Sequence, residues 1–387
     1  MLSRENLKGL SLPALLLDID AFDDNCQQIA AKANGKKIRI ATKSLRSLSV
    51  IQRILHSNPI FQGVMCFSPH EAIFLEKQGI DDILLGYPCY DQEALSLIAK
   101  SSASIVLMVD SIDHLEHLDR IAKKVNGSFK LCIDVDMSTK FAGLHFGVRR
   151  SPIQNADEVV RMAQKIKHSD YLCLKGIMGY EAQIAGVGDQ MPSQFMKNTL
   201  VSYLKKKSIK KIENRRRAVV DFLTKDGFSL EIVNGGGTGS LETTCQEEFI
   251  TEVTVGSGFY SPLLFDYYHN FKYSPSLFYA LPIVRKPTAN IVTCLGGGYV
   301  SSGPAGNDKV PQPIYPGGGK LLPLEGAGEV QTPVFYQNHT LKIGDAVVFR
   351  AAKSGEICER FNEIVVFSEQ TVIDRFKTYR GNGVCFL

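Results

Sequence analysis

Ile38-Arg39-Ile40-Ala41-Thr42-Lys43-Ser44 is the stretch on which the reading of this chain turns. An apolar, strand-like run stops abruptly on a primary amine. Where a strand leaves a buried sheet, desolvation favours the neutral amine, which can attack carbonyls. Far downstream a second apolar run, Leu230 to Val233, ends on Asn234-Gly235-Gly236-Gly237-Thr238-Gly239-Ser240. A loop of that composition brings backbone N–H groups close to a phosphate.

Outward from strand 38–43, apolar runs recur at 61–67, 82–86, 104–110, 130–137, 173–180, 229–234 and 252–256. Helical patterns fall between them at 45–56, 69–78, 92–99, 112–125, 156–167 and 193–224. Strands separated by helices give either a (β/α)8 barrel or an open doubly wound sheet. The strand count, the length of the segment and the clustering of polar motifs at strand C-terminal ends favour the barrel, placed at residues 20–267. The connection 181–228 carries Gly186, Gly188 and Pro192 ahead of its helix and is a candidate lid. From 268 to 387 short β-rich runs alternate with Gly- and Pro-rich turns, which predicts a C-terminal all-β domain. The lead-in strand within residues 1–19 is expected to join that domain. The fold class is therefore α/β, a barrel with an all-β appendage.

Composition narrows the function. The 387 residues are 44% hydrophobic and carry nine cysteines and a net charge of +4. No apolar stretch approaches the roughly 20 residues of a membrane span, and the first residues lack a signal peptide's apolar core. A cytoplasmic location follows by default. The cysteines are scattered and never in C-x-x-C spacing, against a disulfide framework or zinc ribbon. The basic run from Lys205 to Arg217 lacks interleaved aromatics and reads as a solvated helix face, so nucleic acid is not an expected partner. An amine able to form a Schiff base, with a phosphate cradle, points to pyridoxal 5′-phosphate.

The segment Pro13-Ala14-Leu15-Leu16-Leu17-Asp18-Ile19-Asp20-Ala21-Phe22, the lysine strand and the loop Asn234 to Gly239 together resemble the fold-type III pyridoxal enzymes. Within them the chain looks most like the D-threonine aldolase and D-serine dehydratase family, with an alanine racemase-like architecture. Leu144 to Pro152, Leu295 to Tyr299 and Glu325 to Pro333 are similar to a bacterial subgroup described as amino acid deaminase/aldolase. The resemblance implies that Lys43 holds the cofactor as a Schiff base and then acts as base at the substrate Cα. It implies that Gly235, Gly236, Gly237, Thr238, Gly256 and Ser257 hold the phosphate, and that Tyr180, in Met178-Gly179-Tyr180-Glu181, bonds to cofactor or substrate. It also implies a homodimer whose small-molecule substrate is a D-configured β-hydroxy amino acid.

Two departures from that pattern stand out. Where the family places Arg-x-Gly-Val, this chain has His145-Phe146-Gly147-Val148, so His145 or, failing it, Arg149 is the expected donor beside the cofactor. Where the family binds a divalent metal through His-x-Cys or His-x-Asp, this chain has Glu356-Ile357-Cys358. A carboxylate and a thiolate two apart on a strand share one face and can bind zinc or manganese. The alternative is that Glu356 is a substrate-facing acid or base. A racemase, a non-catalytic pyridoxal phosphate carrier and a nucleotide-binding barrel with a structural Lys43 remain as rival readings.

Overall fold

The computed structural model describes residues 5–304, 306–337 and 339–387. They form two compact units. One comprises Ala30–Thr42, Asn58–Gly256 and Phe386–Leu387. The other gathers the described residues up to Ile29, then Lys43–Ser57 and Ser257–Cys385.

The first unit is a closed barrel of eight parallel strands. In chain order they are β1 (Lys37–Ala41), β2 (Phe61–Cys66), β3 (Asp82–Leu85), β4 (Ser104–Val109), β5 (Phe129–Asp134), β6 (Leu172–Gly179), β7 (Ile232–Gly235) and β8 (Glu252–Val255). Each pairs with the next, and β8 closes on β1 with Val253 opposite Ile38 and Val255 opposite Ile40. Alternation along the strands makes the interior: Leu84, Val106, Met108, Cys132, Met178 and Ile232 form one buried cluster. Arg39 shares this interior. Its guanidinium donates to both oxygens of Glu252 at 2.7 Å and to Asp82 at 2.7 Å, and Asn234 donates to Glu252 at 2.8 Å. A buried cation is tolerable only with such a full set of acceptors.

Local signals set the helices. Ser68, Asp91, Ser111 and Asn155 each cap a helix N-terminus by accepting a backbone N–H, and Asn126 ends Ile112–Val125 in the left-handed conformation. The long helix Phe195–Lys225 departs from expectation. Lys205, Ser208, Ile212, Arg216, Val219 and Leu223 form a buried stripe along it, so the basic run is not simply a solvated face. Spacings of three and four residues put those side chains on one side.

In the second unit the largest sheet has nine strands, ordered Lys320–Leu321, Gln331–Phe335, Ile291–Leu295, Leu277–Thr288, Ala14–Asp18, Glu363–Ser368 and Thr371–Lys377, with Gln312–Tyr315 and Ala346–Arg350 off that path. The early strand Ala14–Asp18 is inserted antiparallel to Leu277–Thr288 and parallel to Glu363–Ser368. Leu16, Phe278, Ala280, Val348, Val365 and Phe367 pack on one face of this sheet. The units divide between Gly256 and Ser257, ahead of the boundary at 267 expected from composition. No helix among the described residues is long and apolar enough to cross a membrane.

Candidate active site

The chemistry-bearing motifs of the first unit lie where its strands end. Tyr180 follows β6, and the glycine loop follows β7. Half-buried Tyr180 borders a cavity of about 380 Å³ that also meets Tyr87, Asp110, Asp134, Asp136 and Arg150. Asp134 is the last residue of β5, and the others lie in the connections that follow β3, β4 and β5, at the face where barrels of this type place function. The Arg150 guanidinium carbon lies 5.8 Å from the Tyr180 ring centroid. Burial, followed by the nearby Asp110, pushes the Asp134 carboxyl up to about 7, with Arg150 opposing the rise. Asp136 is committed elsewhere: it accepts from the Ser138 N–H and hydroxyl and from Gln154.

The glycine loop is built for close approach. Gly236 has φ +78°, and a Cβ there would come within 2.3 Å of Val253. At Gly237 a Cβ would lie 2.8 Å from Ala185 and 3.3 Å from the Tyr180 ring. Thr238 is buried. The amides of Gly236 and Gly237 are spent within the protein, donating to Glu181 at 3.1 Å and to Ser240 Oγ at 3.1 Å. The expectation that these two amides point at a phosphate is therefore not met by their geometry. Gly256, buried, directly follows β8.

Beneath the loop lies a network that sequence reasoning missed. Arg216, out of contact with solvent, donates to Glu181 at 2.8 Å, to the Gly179 carbonyl at 2.8 Å and to Glu247. Glu181 in turn accepts from Ser240 Oγ at 2.8 Å and from the Thr244 hydroxyl. The only sequence signals were the position of Glu181 beside Tyr180 and the helical phase of Arg216.

His145 and Arg149 do not line the cavity. His145 sits half-buried in the hairpin of Thr139–Phe141 with Leu144–Phe146, its Nε2 without a partner, and Arg149 is exposed. Arg150, one residue on, takes the place by the cavity.

In the second unit, Lys43 lies in the 3₁₀ turn Thr42–Ser44, and Ser257 donates to Ser44 Oγ at 3.0 Å. Glu356 and Cys358 are not on a strand: they occupy the 3₁₀ segment Glu356–Arg360, so the shared-face argument fails. Glu356 accepts from the Ser302 N–H at 2.8 Å and from its hydroxyl, while burial pushes the Cys358 thiol up to about 12. Glu356 is already bonded to Ser302, and the two residues share no strand face, so they do not make the two-ligand site that the spacing implied. Among the described residues no three His, Cys, Asp or Glu side chains converge as a metal-binding group. Tyr180 joins the two features a planar, phosphate-bearing cofactor needs: it packs on the loop at Gly237 and borders the cavity, whose lining includes no residue of Gly235–Gly239.

A closed parallel barrel with this loop and strand-end site defines the class, and residues 17–262 match the family model described as "Alanine racemase, N-terminal domain". The chain belongs to that family. It is 24% identical over 253 residues to the 3-hydroxy-D-aspartate aldolase of Paracoccus denitrificans, an alignment covering 64% of this chain and 60% of that protein. The chain thus spans about 60% of the length of that curated relative. The solved D-threonine aldolase of Filomicrobium marinum superposes with a TM-score of 0.80 at 18% identity, over 96% of this chain and 95% of the other. The D-threo-3-hydroxyaspartate dehydratase of Delftia sp. HT23 does so with a TM-score of 0.73 at 15% identity, over 96% and 98%. At those identities the structural likeness establishes the fold.

Proposed function

We propose that this chain is a pyridoxal 5′-phosphate-dependent lyase acting on D-configured β-hydroxy amino acids, by retro-aldol cleavage or by dehydration with loss of ammonia. The observation that carries the reading is the glycine loop packed on Tyr180, at the ends of β7 and β6, beside a cavity able to take a ring of that size. The names of the aldolase and dehydratase relatives support the substrate class.

When bound, the cofactor supplies an electron sink for charge developing at Cα. Lys43 would hold it through Nζ and would give or take the proton at the substrate Cα. Thr238, Gly256 and Ser257 hold the phosphate, with Gly235, Gly236 and Gly237 shaping the loop rather than all donating to it. Tyr180 orients the ring, and Arg150 takes the donor role assigned by sequence to His145 or Arg149. In dehydration the Cα proton is removed, the β-hydroxyl takes up a proton and leaves as water, and hydrolysis of the released enamine gives ammonia and the 2-oxo acid. In cleavage the β-hydroxyl loses its proton as the Cα–Cβ bond breaks and Cα takes up a proton, giving an aldehyde and glycine. A divalent ion, zinc or manganese, at Glu356 and Cys358 was one of two readings of that pair, and the bonds of Glu356 to Ser302 oppose it. The protein acts as a homodimer in this reading.

Product analysis tests the proposal. Purified protein with pyridoxal phosphate is given D-threonine, D-serine and D-3-hydroxyaspartate, with and without divalent metal. Glycine plus an aldehyde identifies cleavage, and ammonia plus a 2-oxo acid identifies dehydration. Racemised substrate without either product overturns the lyase reading. Unchanged activity in Lys43→Ala, with no cofactor absorbance in either protein, removes the cofactor assignment altogether.

A further inference from the structure

Glu181 occupies an unusual place for a carboxylate. It is 1% exposed and lies directly after Tyr180, on the protein side of a loop assigned here to an anion. Its two oxygens take four donors. Oε2 accepts from Gly236 N at 3.1 Å and Arg216 Nη2 at 2.8 Å; Oε1 accepts from Ser240 Oγ at 2.8 Å and from the Thr244 hydroxyl. Ser240 Oγ also accepts from Gly237 N at 3.1 Å, so two successive loop amides are tied, directly and through one hydroxyl, to a single side chain. Buried groups this fully bonded have one geometry. The loop cannot move without breaking bonds to a buried charge.

The same carboxylate would repel a phosphate unless its charge were balanced. Arg216 balances it, reaching from the helix Phe195–Lys225 to bond Glu181, Glu247 and the Gly179 carbonyl. The Gly179 contact fixes the end of β6 that carries Tyr180. A Cβ on Gly235 would lie 3.0 Å from Arg216 Nη2, so the loop also rests on the guanidinium.

We propose that Glu181, neutralised by Arg216, is the positioning residue that pre-forms the glycine loop as a site for a phosphate monoester. It acts on cofactor affinity through the phosphate without touching the cofactor. This inference rests on the pyridoxal phosphate reading of the site. Its chemical signature is selectivity: loss of Glu181 weakens binding of a ligand that bears the phosphate and spares the same ring without it.

The experiment compares pyridoxal 5′-phosphate with pyridoxal, by equilibrium absorbance titration of the full chain. The proteins are wild type, Glu181→Gln, Ser240→Ala and the isosteric Thr244→Val. The last two remove one hydroxyl each and keep the protein folded if the Glu181 variant does not. Circular dichroism confirms folding of every protein titrated. The expected result is a loss of pyridoxal phosphate affinity of about tenfold or more in Glu181→Gln, and about threefold or more in Ser240→Ala and Thr244→Val, from charge-assisted bonds of this kind. Pyridoxal affinity should change by less than about twofold. Equal loss for both ligands, or no loss in the folded variants, overturns the proposal while leaving the cofactor reading standing. Failure of the wild-type protein to bind pyridoxal phosphate overturns both.

Discussion

Arg216 Nη2 donates to Glu181 Oε2 at 2.8 Å, and the two side chains are 0% and 2% exposed. This pair joins the long helix to the residue that follows Tyr180, and Glu247 completes the triad. Removing one member strands the others as buried charges. Arg216→Met should cost about 3–5 kcal/mol of stability. Combining it with Glu181→Gln should cost less than the two single changes added together, because one of the two stranded carboxylates is gone. Urea denaturation of the four proteins measures the coupling, and strict additivity would contradict it.

Gly355 presses on the backbone of Lys43. Its φ is +80°, and a Cβ there would come within 2.1 Å of the Lys43 carbonyl oxygen. Gly355→Ala therefore combines left-handed strain with a backbone collision and should destabilise by about 1–3 kcal/mol. Because the collision is with Lys43 itself, borohydride trapping of pyridoxal phosphate on that lysine should fall as well. Gly344→Ala, at a glycine of φ +92° with nothing within 4 Å of its Cβ position, serves as the control for strain alone.

The raised carboxyl of Asp134 makes stability depend on pH. Its pKa goes from 3.8 to about 7 on folding, so the folded state keeps a proton that the unfolded chain releases. The contribution is fully present below 3.8 and is lost as pH rises through about 7. Asp134→Asn should remove that part of the slope. Chemical denaturation between those two pH values should show the variant less sensitive to pH than the wild type; parallel profiles would refute the assignment.

The surroundings of Glu356 and Cys358 predict a null effect on metal content. Purified wild type, Glu356→Ala and Cys358→Ala should carry the same amount of zinc and manganese by elemental analysis. A drop in both variants would restore the metal site.

The barrel was legible because its signal is local. Short apolar runs alternate with helical ones, and each strand hydrogen-bonds to the next in the sequence, so chain order and spatial order coincide. The short-range motifs were readable for the same reason: Tyr180 and the glycine loop stand where β6 and β7 end. Arg150, which borders the cavity, was missed in favour of His145 and its fallback Arg149; His145 lies in the short hairpin that follows β5.

What the sequence by itself determined is the order of strands and helices and the positions of Lys43, Tyr180 and the glycines along them, since backbone propensity and periodicity act over a few residues. Only the tertiary structure decided which charges are buried together. Arg216 belongs to a basic run that looks solvated, yet it meets Glu181 and Glu247 across separations of 35 and 31 residues. Desolvation and ion pairing are properties of that three-dimensional meeting, and no local pattern encodes them.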